Sequence, residues 1–406
     1  MDSSLDNVND IPSMSVLIPD GEDWSTLRVL RCLGSVPAIK VNVLSNNRFI
    51  LPRFSRYCHR FKYHKISNSG LLEIIIDTIR KWKIDVVLPA TLNGMIFLSQ
   101  HQETISEVAH LVPLAKPELF KMTNDKWAFY KFTHRQGLPG PTTVFIGKAG
   151  EALRIPDIDA IEYPALLKPT SGSGGYGIVE VKEPSDLKRS WQDKRIIKGR
   201  EYILQSYIPS IDFSLSVCCQ NGKIIAHTLN RTISPSQKPF GIGGLVEYVD
   251  NEQVLDMGRK LVSSIGWNGV GDIDIVVDKR DQTVKILEFN PRFWQSLLGG
   301  MIAGVNFPLI WCLSSLGTSL SCNQHEMARY QSLSSYIREL YSRLIGRTET
   351  ENIRWDQTNL RFIRTDPLPE IFEALRRLSK IKKVRSLFRR NPKNNIGVIS
   401  HPVLHR

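Results

Sequence analysis

Four polar side chains near the end of a predicted strand have the types and spacing of a metal site. Glu288 and Asn290 lie two residues apart, so on a strand their side chains point to the same face. Asp274 precedes Glu288 by the length of a hairpin, which places the two carboxylates side by side, and Asp272 shares the face of Asp274. Carboxylate and amide oxygens suit a hard cation such as Mg²⁺. Structural salt bridges to nearby lysines are the alternative role for these carboxylates.

Three cationic residues and a glycine-rich loop have the chemistry to bind phosphate. Arg292 follows Asn290 on the same face, and its planar cation fits phosphate or carboxylate. Lys126 opens a predicted helix, and Lys168 closes a predicted strand just before loop 171–177, Ser-Gly-Ser-Gly-Gly-Tyr-Gly. A strand and not a helix follows this loop, so it does not fit a dinucleotide-binding fingerprint. It predicts a flexible lid whose N–H groups close over phosphates, with a simple surface hairpin as the alternative.

The elements that must position these residues fall into two groups. Residues 14–115 alternate between strand and helix, which predicts a small parallel α/β layer. Its predicted strands begin at Met14, Ile39, Asp85 and Leu111, and its predicted helices are 24–33 and 71–82. A helix follows at 124–136, and then strands at 163–169, 178–181 and 202–205. The strands 213–219 and 224–229 form a hairpin around Asn221-Gly222, so the later sheets are predicted to be antiparallel.

Composition describes an ordinary globular chain of 406 residues, 42% hydrophobic and 23% charged, long enough for two or three domains. The six cysteines lack finger or C-x-x-C spacing and indicate reduced thiols in a cytoplasmic protein. The polar segment 1–13 is predicted to be disordered and carries no signal peptide. Residues 293–324 contain no charged side chain, but Gln295, Asn306 and Pro308 interrupt them. A buried loop and helix is therefore favoured over a membrane-spanning helix.

The net charge of +13 is concentrated at the C-terminal end, where residues 321–406 hold 17 Lys and Arg against 8 Asp and Glu. Apolar residues recur every three or four positions from Pro367 to Phe388, which predicts a basic amphipathic helix. Such a helix could dock on the protein itself, on an anionic membrane surface or on an acidic partner. No nucleic-acid partner is expected.

The motifs together resemble the ATP-grasp superfamily, and within it the branch of carbamoyl-phosphate synthase and carboxylate–amine ligases. The resemblance rests on Lys126 in Asn-Asp-Lys, Lys168-Pro before the loop, Gln-Ser-Tyr-Ile-Pro at 205–209 and Glu-x-Asn-Pro-Arg at 288–292, and it extends to about Gly317. It implies a mixed α/β and α+β fold. A Rossmann-like layer at 14–115 would precede an ATP-grasp domain at 116–320 with subdomains 116–205 and 206–320, and 321–406 would be a basic helical extension.

The resemblance also implies a role for each matching residue. Lys126 and Lys168 would contact ATP phosphates, and Asp274, Glu288 and Asn290 would hold Mg²⁺ or Mn²⁺. Arg292 would stabilise the transferred phosphoryl group, and Arg231, with Lys238 second, is the candidate to meet the substrate carboxylate or the γ-phosphate. The residues implied to cover the phosphates are Ser171, Gly172, Ser173, Gly174, Gly175 and Gly177, and those implied to hold adenosine are Gln205, Ser206, Tyr207, Ile208 and Asp212. Ser206 replaces a common glutamate and Ser210 a usual glycine.

The reaction implied is ATP-dependent activation of a carboxylate as an acyl phosphate, followed by attack of an amine to form an amide. A small-molecule kinase and a nucleotide-binding regulatory protein are the alternatives. Retention of both lysines, the three metal ligands and Arg292 argues against the regulatory protein. The partners implied are small-molecule carboxylate and amine substrates, and a homo-oligomer is compatible with the sequence.

Overall fold

The computed structural model describes residues 3–5, 11–65, 70–153, 160–172, 174–234, 244–320, 327–345 and 353–378. Within the segment predicted to be disordered, Ser3–Leu5 instead form a short strand (β1), which pairs in parallel with Thr318–Leu320 (β16). Ile11 is buried as well. Backbone pairing and one apolar anchor therefore order parts of an N-terminus whose polar composition predicts disorder.

The first layer is a parallel five-stranded sheet of order β4-β3-β2-β5-β6, which confirms the predicted α/β layer. Its strands are Met14–Ile18 (β2), Ile39–Ser45 (β3), Cys58–Tyr63 (β4), Val86–Val87 (β5) and His110–Leu111 (β6). Its helices are Trp24–Gly34 (α1), Leu71–Trp82 (α2), Leu92–Gln100 (α3) and Gln102–Ser106 (α4). The sequence analysis missed β4, whose residues are nearly all half-buried or exposed at the sheet edge, and α3.

Two helices lead from this layer into a second, four-stranded antiparallel sheet of order β7-β10-β8-β9. The helices are Pro117–Asn124 (α5) and Lys126–Arg135 (α6), with a short helix Leu187–Trp191 (α7) farther on. The strands are Thr143–Lys148 (β7), Ala165–Pro169 (β8), Val179–Val181 (β9) and Glu201–Ser206 (β10). The glycine-rich segment joins β8 to β9, so the predicted strand–loop–strand order is confirmed.

The third sheet has six strands in the order β15-β14-β11-β12-β13-β17, and all its neighbours are antiparallel. The strands are Ser210–Gln220 (β11), Lys223–Ser234 (β12), Leu245–Tyr248 (β13), Gly269–Asp278 (β14), Val284–Asn290 (β15) and Arg329–Gln331 (β17). Asn221 and Gly222 adopt φ of 51° and 72°, the left-handed conformation that a tight two-residue hairpin requires. The hairpin predicted from this dipeptide is thus confirmed.

Helices cover this sheet. Glu252–Ile265 (α8) packs on the face that carries Leu215 and Ile273, close enough that a Cβ at Gly258 would meet Leu215 at 2.1 Å. Leu297–Ile302 (α9) and Phe307–Ser315 (α10) form nearly half of the uncharged stretch, and their side chains are largely buried. Among the described residues no helix is long and apolar enough to cross a bilayer.

The apolar side chains form two separate cores. The larger core is continuous from the parallel layer through α5 and α6 to the six-stranded sheet, and it includes Leu17, Phe129 and Ile273. The smaller core belongs to the four-stranded sheet and includes Leu167 and Tyr202. The four-stranded sheet is therefore a body with its own core, and the other two sheets share one.

The last described segment docks on the parallel layer. This segment, 353–378, contains Leu360–Thr365 (α12) and a helix at 368–378, and the preceding described segment contains Leu333–Leu344 (α11). Arg31 of α1 is buried and contacts Asp366 at 3.1 Å and Glu370 at 2.7 Å, and Phe372 stacks on Phe54 at 4.0 Å. The predicted amphipathic helix is present up to residue 378, and residues 379–388 lie outside the described part of the chain.

Candidate active site

The two carboxylates face each other across adjacent strands. Asp274 of β14 pairs directly with Glu288 of β15, and Asp272 pairs with Asn290. The Asn290 Nδ2 group donates to Asp274 Oδ2 at 3.3 Å and to Glu288 Oε1 at 3.4 Å. The described residues contain no group of three or more His, Cys, Asp or Glu side chains suited to a metal. The donor set is thus two carboxylates and one amide, all oxygen-bearing.

The two carboxylates of this pair differ in how readily they ionise. Burial, followed by the charges of Glu288 and Asp272, raises the pKa of Asp274 well above its usual value. Burial would also raise the pKa of Glu288, but the charge and hydrogen bond of Lys126 lower it below its usual value. Two carboxylates of which one resists ionisation are typical of a site that waits for a positive ion.

Asp272 has a different surrounding from the other two acids. Its Oδ1 accepts hydrogen bonds from the Ser214 hydroxyl at 2.7 Å and the Ser216 hydroxyl at 2.8 Å, both on β11. Burial is the main cause that raises the pKa of Asp272. The sequence analysis missed the two serines, although their period-two spacing on a predicted strand places both on one face. They orient Asp272 beside Asn290.

Lys126 joins the second sheet to the carboxylates. Asp125 caps α6 by accepting from the Ala128 N–H, which fixes Lys126 as the first helical residue. Lys126 Nζ lies 2.8 Å from Glu288 Oε2, with the side chains 18% and 26% exposed, and donates to the Gly172 carbonyl at 3.2 Å. The first predicted lysine therefore lies between the metal-ligand strand and the glycine loop.

A hydrogen bond to the neighbouring strand β10 holds the Lys168 side chain in place. Its Nζ donates to Gln205 Oε1 at 2.7 Å, while the Gln205 amide donates to the Thr143 hydroxyl at 3.0 Å. Burial lowers the pKa of Lys168 to about 8, although the negative charge of Glu288 acts in the opposite direction. The charges of Glu288, Asp274 and Asp212 all favour the charged form of Lys168.

The glycine loop adopts a conformation that side-chain-bearing residues rarely take. Gly172, Gly174, Gly175 and Gly177 all have positive φ, between 71° and 120°. A Cβ at Gly177 would meet the Tyr202 hydroxyl at 2.9 Å. The Ser171 carbonyl accepts from Arg200 at 2.9 Å, and Tyr176 is exposed. Ser173 lies outside the described residues.

The predicted adenosine-binding residues lie at the strand end between the second and third sheets. Ser206 is buried, and its hydroxyl accepts from the Glu162 N–H at 2.9 Å. The Tyr207 N–H donates to the Pro164 carbonyl at 3.0 Å, so this donor is already used, while Ile208 is buried. Asp212 is exposed and accepts from the Ser210 hydroxyl at 2.7 Å. Its register two residues from Ser214 puts Asp212 on the face that carries Asp274.

Arg292 lies at the end of β15 and contacts only uncharged oxygens. Its Nη1 donates to the Phe293 carbonyl at 3.1 Å and its Nη2 to Asn290 Oδ1 at 3.3 Å. These bonds hold the guanidinium beside the amide of the metal-donor set, as the sequence analysis expects.

Arg231 does not join this group. Its neighbour Asn230 pairs with Ser214 and therefore shares the face of Asp274, so Arg231 points to the opposite face of the sheet. There its guanidinium contacts Glu247 at 2.7 Å. The alternation of the strand thus directs Arg231 away from the face of Asp274. Its role toward a substrate stays a prediction, and Lys238 lies outside the described residues.

Comparison with known proteins gives this site a family. Residues 123–296 match the family model of the ATP-grasp domain. The chain is 23% identical over 47% of its length to carbamoyl-phosphate synthase from Methanobrevibacter smithii, and 24% identical over 56% to biotin carboxylase 2 from Bacillus subtilis. It spans about half the length of these relatives, 52% and 54%.

A solved structure supports the same fold. N5-carboxyaminoimidazole synthetase from Staphylococcus aureus, complexed with ADP, aligns with a TM-score of 0.61 at 16% identity, covering 87% of this chain and 92% of that one. Identity this low speaks for the fold alone. The predicted resemblance is confirmed: residues 123–296 match the ATP-grasp domain family, and the chain is similar to the branch that contains carbamoyl-phosphate synthase and biotin carboxylase.

Proposed function

We propose that this protein is an ATP- and Mg²⁺-dependent ligase that activates a small carboxylate and couples it to an amine. The observation that carries the proposal is the 2.8 Å contact between Lys126 and Glu288, because it brings a phosphate-binding cation to the metal-donor strand. The ADP bound to the S. aureus relative and the names of the curated relatives support the same reading.

The residues present fit the groups that the family implies. The oxygen atoms of Asp274, Glu288 and Asn290 suit Mg²⁺ or Mn²⁺. Burial and neighbouring negative charge raise the pKa of Asp274, and a bound cation would lower this pKa again. When bound, the cation would neutralise phosphate oxygens and hold them in place. Asn290 orients both carboxylates through its amide.

The cationic residues would supply charge along the phosphates. Lys126 at the start of α6 and Lys168 on the second sheet would neutralise negative charge that shifts during phosphoryl transfer. Loop 171–177 would cover the same phosphates through its N–H groups. Asp212 would receive the ribose hydroxyls, and the backbone at Tyr207 and Ile208 would hold adenine through the groups that are still free. Arg231 is left out of this assignment.

Arg292 would act where the new bond forms. In the first step a carboxylate oxygen of the substrate takes the γ-phosphoryl group and ADP departs. In the second step the amine nitrogen attacks the acyl carbon, phosphate leaves with the bonding electrons, and the amine proton is released. A fixed guanidinium beside the metal donors would stabilise the phosphoryl oxygens in both steps, so positioning and charge supply the catalysis.

The test is a screen of amino acids and other carboxylates for ATP-dependent phosphate release, with and without amine acceptors. We expect release that requires both a carboxylate and an amine, and its loss in Glu288→Gln. ADP formation that is independent of any amine, with a phosphorylated product, would identify a small-molecule kinase instead. Absence of nucleotide binding would reject the proposal.

We also propose that the helix 368–378 contacts an anionic lipid surface. One side of this helix docks on the parallel layer through Phe372, while Leu368, Ile371, Leu375 and Leu378 are exposed at spacings of three and four. Apolar side chains flanked by basic residues are typical of interfacial helices. The natural protein should co-sediment with vesicles that contain phosphatidylserine, and this binding should be lost on truncation after Pro367 and in Leu375→Glu. Vesicles of neutral lipid should bind none of the three proteins.

A further inference from the structure

Arg28 occupies a position that the proposed chemistry does not use. It lies in α1, four residues before Cys32 and therefore on the same helix face. The Cys32 carbonyl accepts from the Asn306 amide at 2.8 Å, and α1 packs against both α9 and α10. This face of α1 thus meets the segment that follows Arg292.

Arg28 is surrounded by protein but is only partly shielded from solvent. Burial is the largest cause that lowers the pKa of Arg28, yet its side chain keeps partial access to solvent. Such a combination is typical of a residue that lines a cleft. Within the described residues Arg28 makes no hydrogen bond and no ion pair.

Arg31, one helical turn later, provides an internal comparison. Its guanidinium is buried against two carboxylates, Asp366 and Glu370, which is how a folded chain usually satisfies a desolvated arginine. Among the residues that the structure describes, no carboxylate lies at ion-pair distance from Arg28, although Arg28 is on the same helix. An arginine deep in a protein without a partner is costly unless a ligand supplies the anion.

The groups that face Arg28 add to this charge imbalance. The charged and titratable groups near it are Asp23 and Arg31 of its own helix, Tyr330 of β17 and Arg292 at the end of β15. Tyr330 stays neutral, because burial raises its pKa to about 12. Arg292 contacts only uncharged oxygens, so two guanidinium groups approach each other without a carboxylate bridging them among the described residues.

The topology of the parallel sheet points to the same place. The strand order β4-β3-β2-β5-β6 reverses direction between β2 and β5, and α1 begins just beyond the carboxyl end of β2. Ligands of open α/β sheets bind in the crevice at such a reversal. Arg28 lies in the second turn of α1, which begins at this reversal.

We propose that Arg28 binds a carboxylate or phosphate group carried by the substrate, beside Arg292 and separate from the triphosphate side of the cleft, while Arg292 keeps its role toward the transferred phosphoryl group. This inference rests on the proposed ligase function and narrows it: one of the two substrates carries a fixed anionic group in addition to the reacting carboxylate or amine. The guanidinium fork of Arg28 matches the oxygens of either anion. Arg28 would then determine specificity, while Lys126 and Lys168 serve the nucleotide.

The test is calorimetric titration of the full chain with inorganic phosphate and, separately, with succinate, each with and without saturating MgADP. Loss of a charged hydrogen bond predicts that Arg28→Gln weakens anion binding about tenfold or more and leaves MgADP affinity unchanged. Arg28→Lys keeps the charge but not the fork and should lose less. Arg60→Gln, an exposed arginine of β4, is the matched control and should bind as the natural protein does.

The outcomes separate the two proposals. A preference for phosphate or for succinate identifies the anion class of the substrate. Anion affinity that is the same in Arg28→Gln as in the natural protein, an equal loss in Arg60→Gln, or no binding of either anion to the natural protein overturns the inference. Failure of MgADP to bind while Arg28-dependent anion binding persists without nucleotide counts against the ligase proposal alone. Thermal unfolding of each variant verifies folding, and Arg28→Lys carries the test if Arg28→Gln does not fold.

Discussion

Lys126 Nζ lies 2.8 Å from Glu288 Oε2, although Lys126 begins helix α6 and Glu288 lies on strand β15, far later in the chain. In this arrangement the lysine occupies one face of a carboxylate that the proposed metal ion needs. Binding of MgATP would therefore exchange this ion pair for contacts with the ion and with phosphate.

Replacing Glu288 by Gln should abolish catalysis without unfolding the chain. The amide keeps the shape but not the charge, so we expect ATP-dependent phosphate release to fall by about a hundredfold or more, as when a transition-state charge loses its stabiliser. Release of phosphate during substrate turnover measures it. Glu180→Gln, an exposed glutamate on β9, is the control and should be fully active. Full activity of Glu288→Gln would remove Glu288 from the site.

Nucleotide affinity should weaken as the pH rises above about 8. Burial lowers the pKa of Lys168 to about 8, whereas a bound phosphate raises it again. Protonation and binding are thus linked: the lysine is charged below pH 8, and above it each pH unit should weaken MgADP binding by up to about tenfold. Calorimetric titration from pH 7 to pH 9.5 measures this trend. Lys168→Arg stays charged over this range, so its affinity should be nearly flat, and an equally steep decline there would contradict the assignment.

Removal of Arg31 should release the C-terminal segment from the parallel layer. Arg31→Ala leaves Asp366 buried with only the Ser55 hydroxyl and the Arg56 N–H as donors. Breaking a buried ion pair from one side costs about 3–5 kcal/mol. Thermal unfolding should shift downward, and limited proteolysis should cut within 353–378. Arg80→Ala, an exposed residue of α2, should change neither, and resistance of Arg31→Ala to the protease would show that Phe372 and its neighbours suffice.

A methyl group at Gly271 should disturb the strands that carry the acids. A Cβ there would lie 2.4 Å from the Phe289 ring, which is buried and packs edge-on against Trp267. Overpacking of this kind costs about 1–3 kcal/mol. We expect Gly271→Ala to unfold at lower temperature and at lower denaturant concentration. A second change, Phe289→Leu, makes room for the methyl group and should recover part of the lost stability. If the double variant loses more stability than the two single variants lose together, a steric origin is contradicted.

Much of the site follows from the sequence because local rules determine it. The spacing of Glu288 and Asn290 on one strand and a hairpin back to Asp274 place three donors together, and the structure has that register. Asn221-Gly222 likewise predicts its turn. Lys126 and Lys168 are recognisable only through their positions at a helix start and beside a glycine loop.

The remaining features depend on long-range packing that local patterns do not encode. The strand Cys58–Tyr63 lies at a sheet edge, where none of its residues is fully buried. Its sequence therefore lacks the alternation of apolar and polar residues that predicts a strand. Arg231 is adjacent to a site-facing residue, and only the register of its strand turns it away. The contact between Arg31 and Asp366 joins opposite ends of the chain, and nothing near either residue predicts the other.

The two cores support different parts of the proposed binding cleft. Among the described residues the four-stranded sheet, which carries Lys168 and the glycine loop, shares no buried apolar cluster with the rest, so an outward movement of this sheet would expose neither core. Arg28 and Arg292 belong to the other, larger body and stay fixed relative to each other during such a swing. ADP could thus leave while the anionic group of the substrate or product stays bound at Arg28. The division of the apolar side chains into two cores would then determine the order in which the ligands are released.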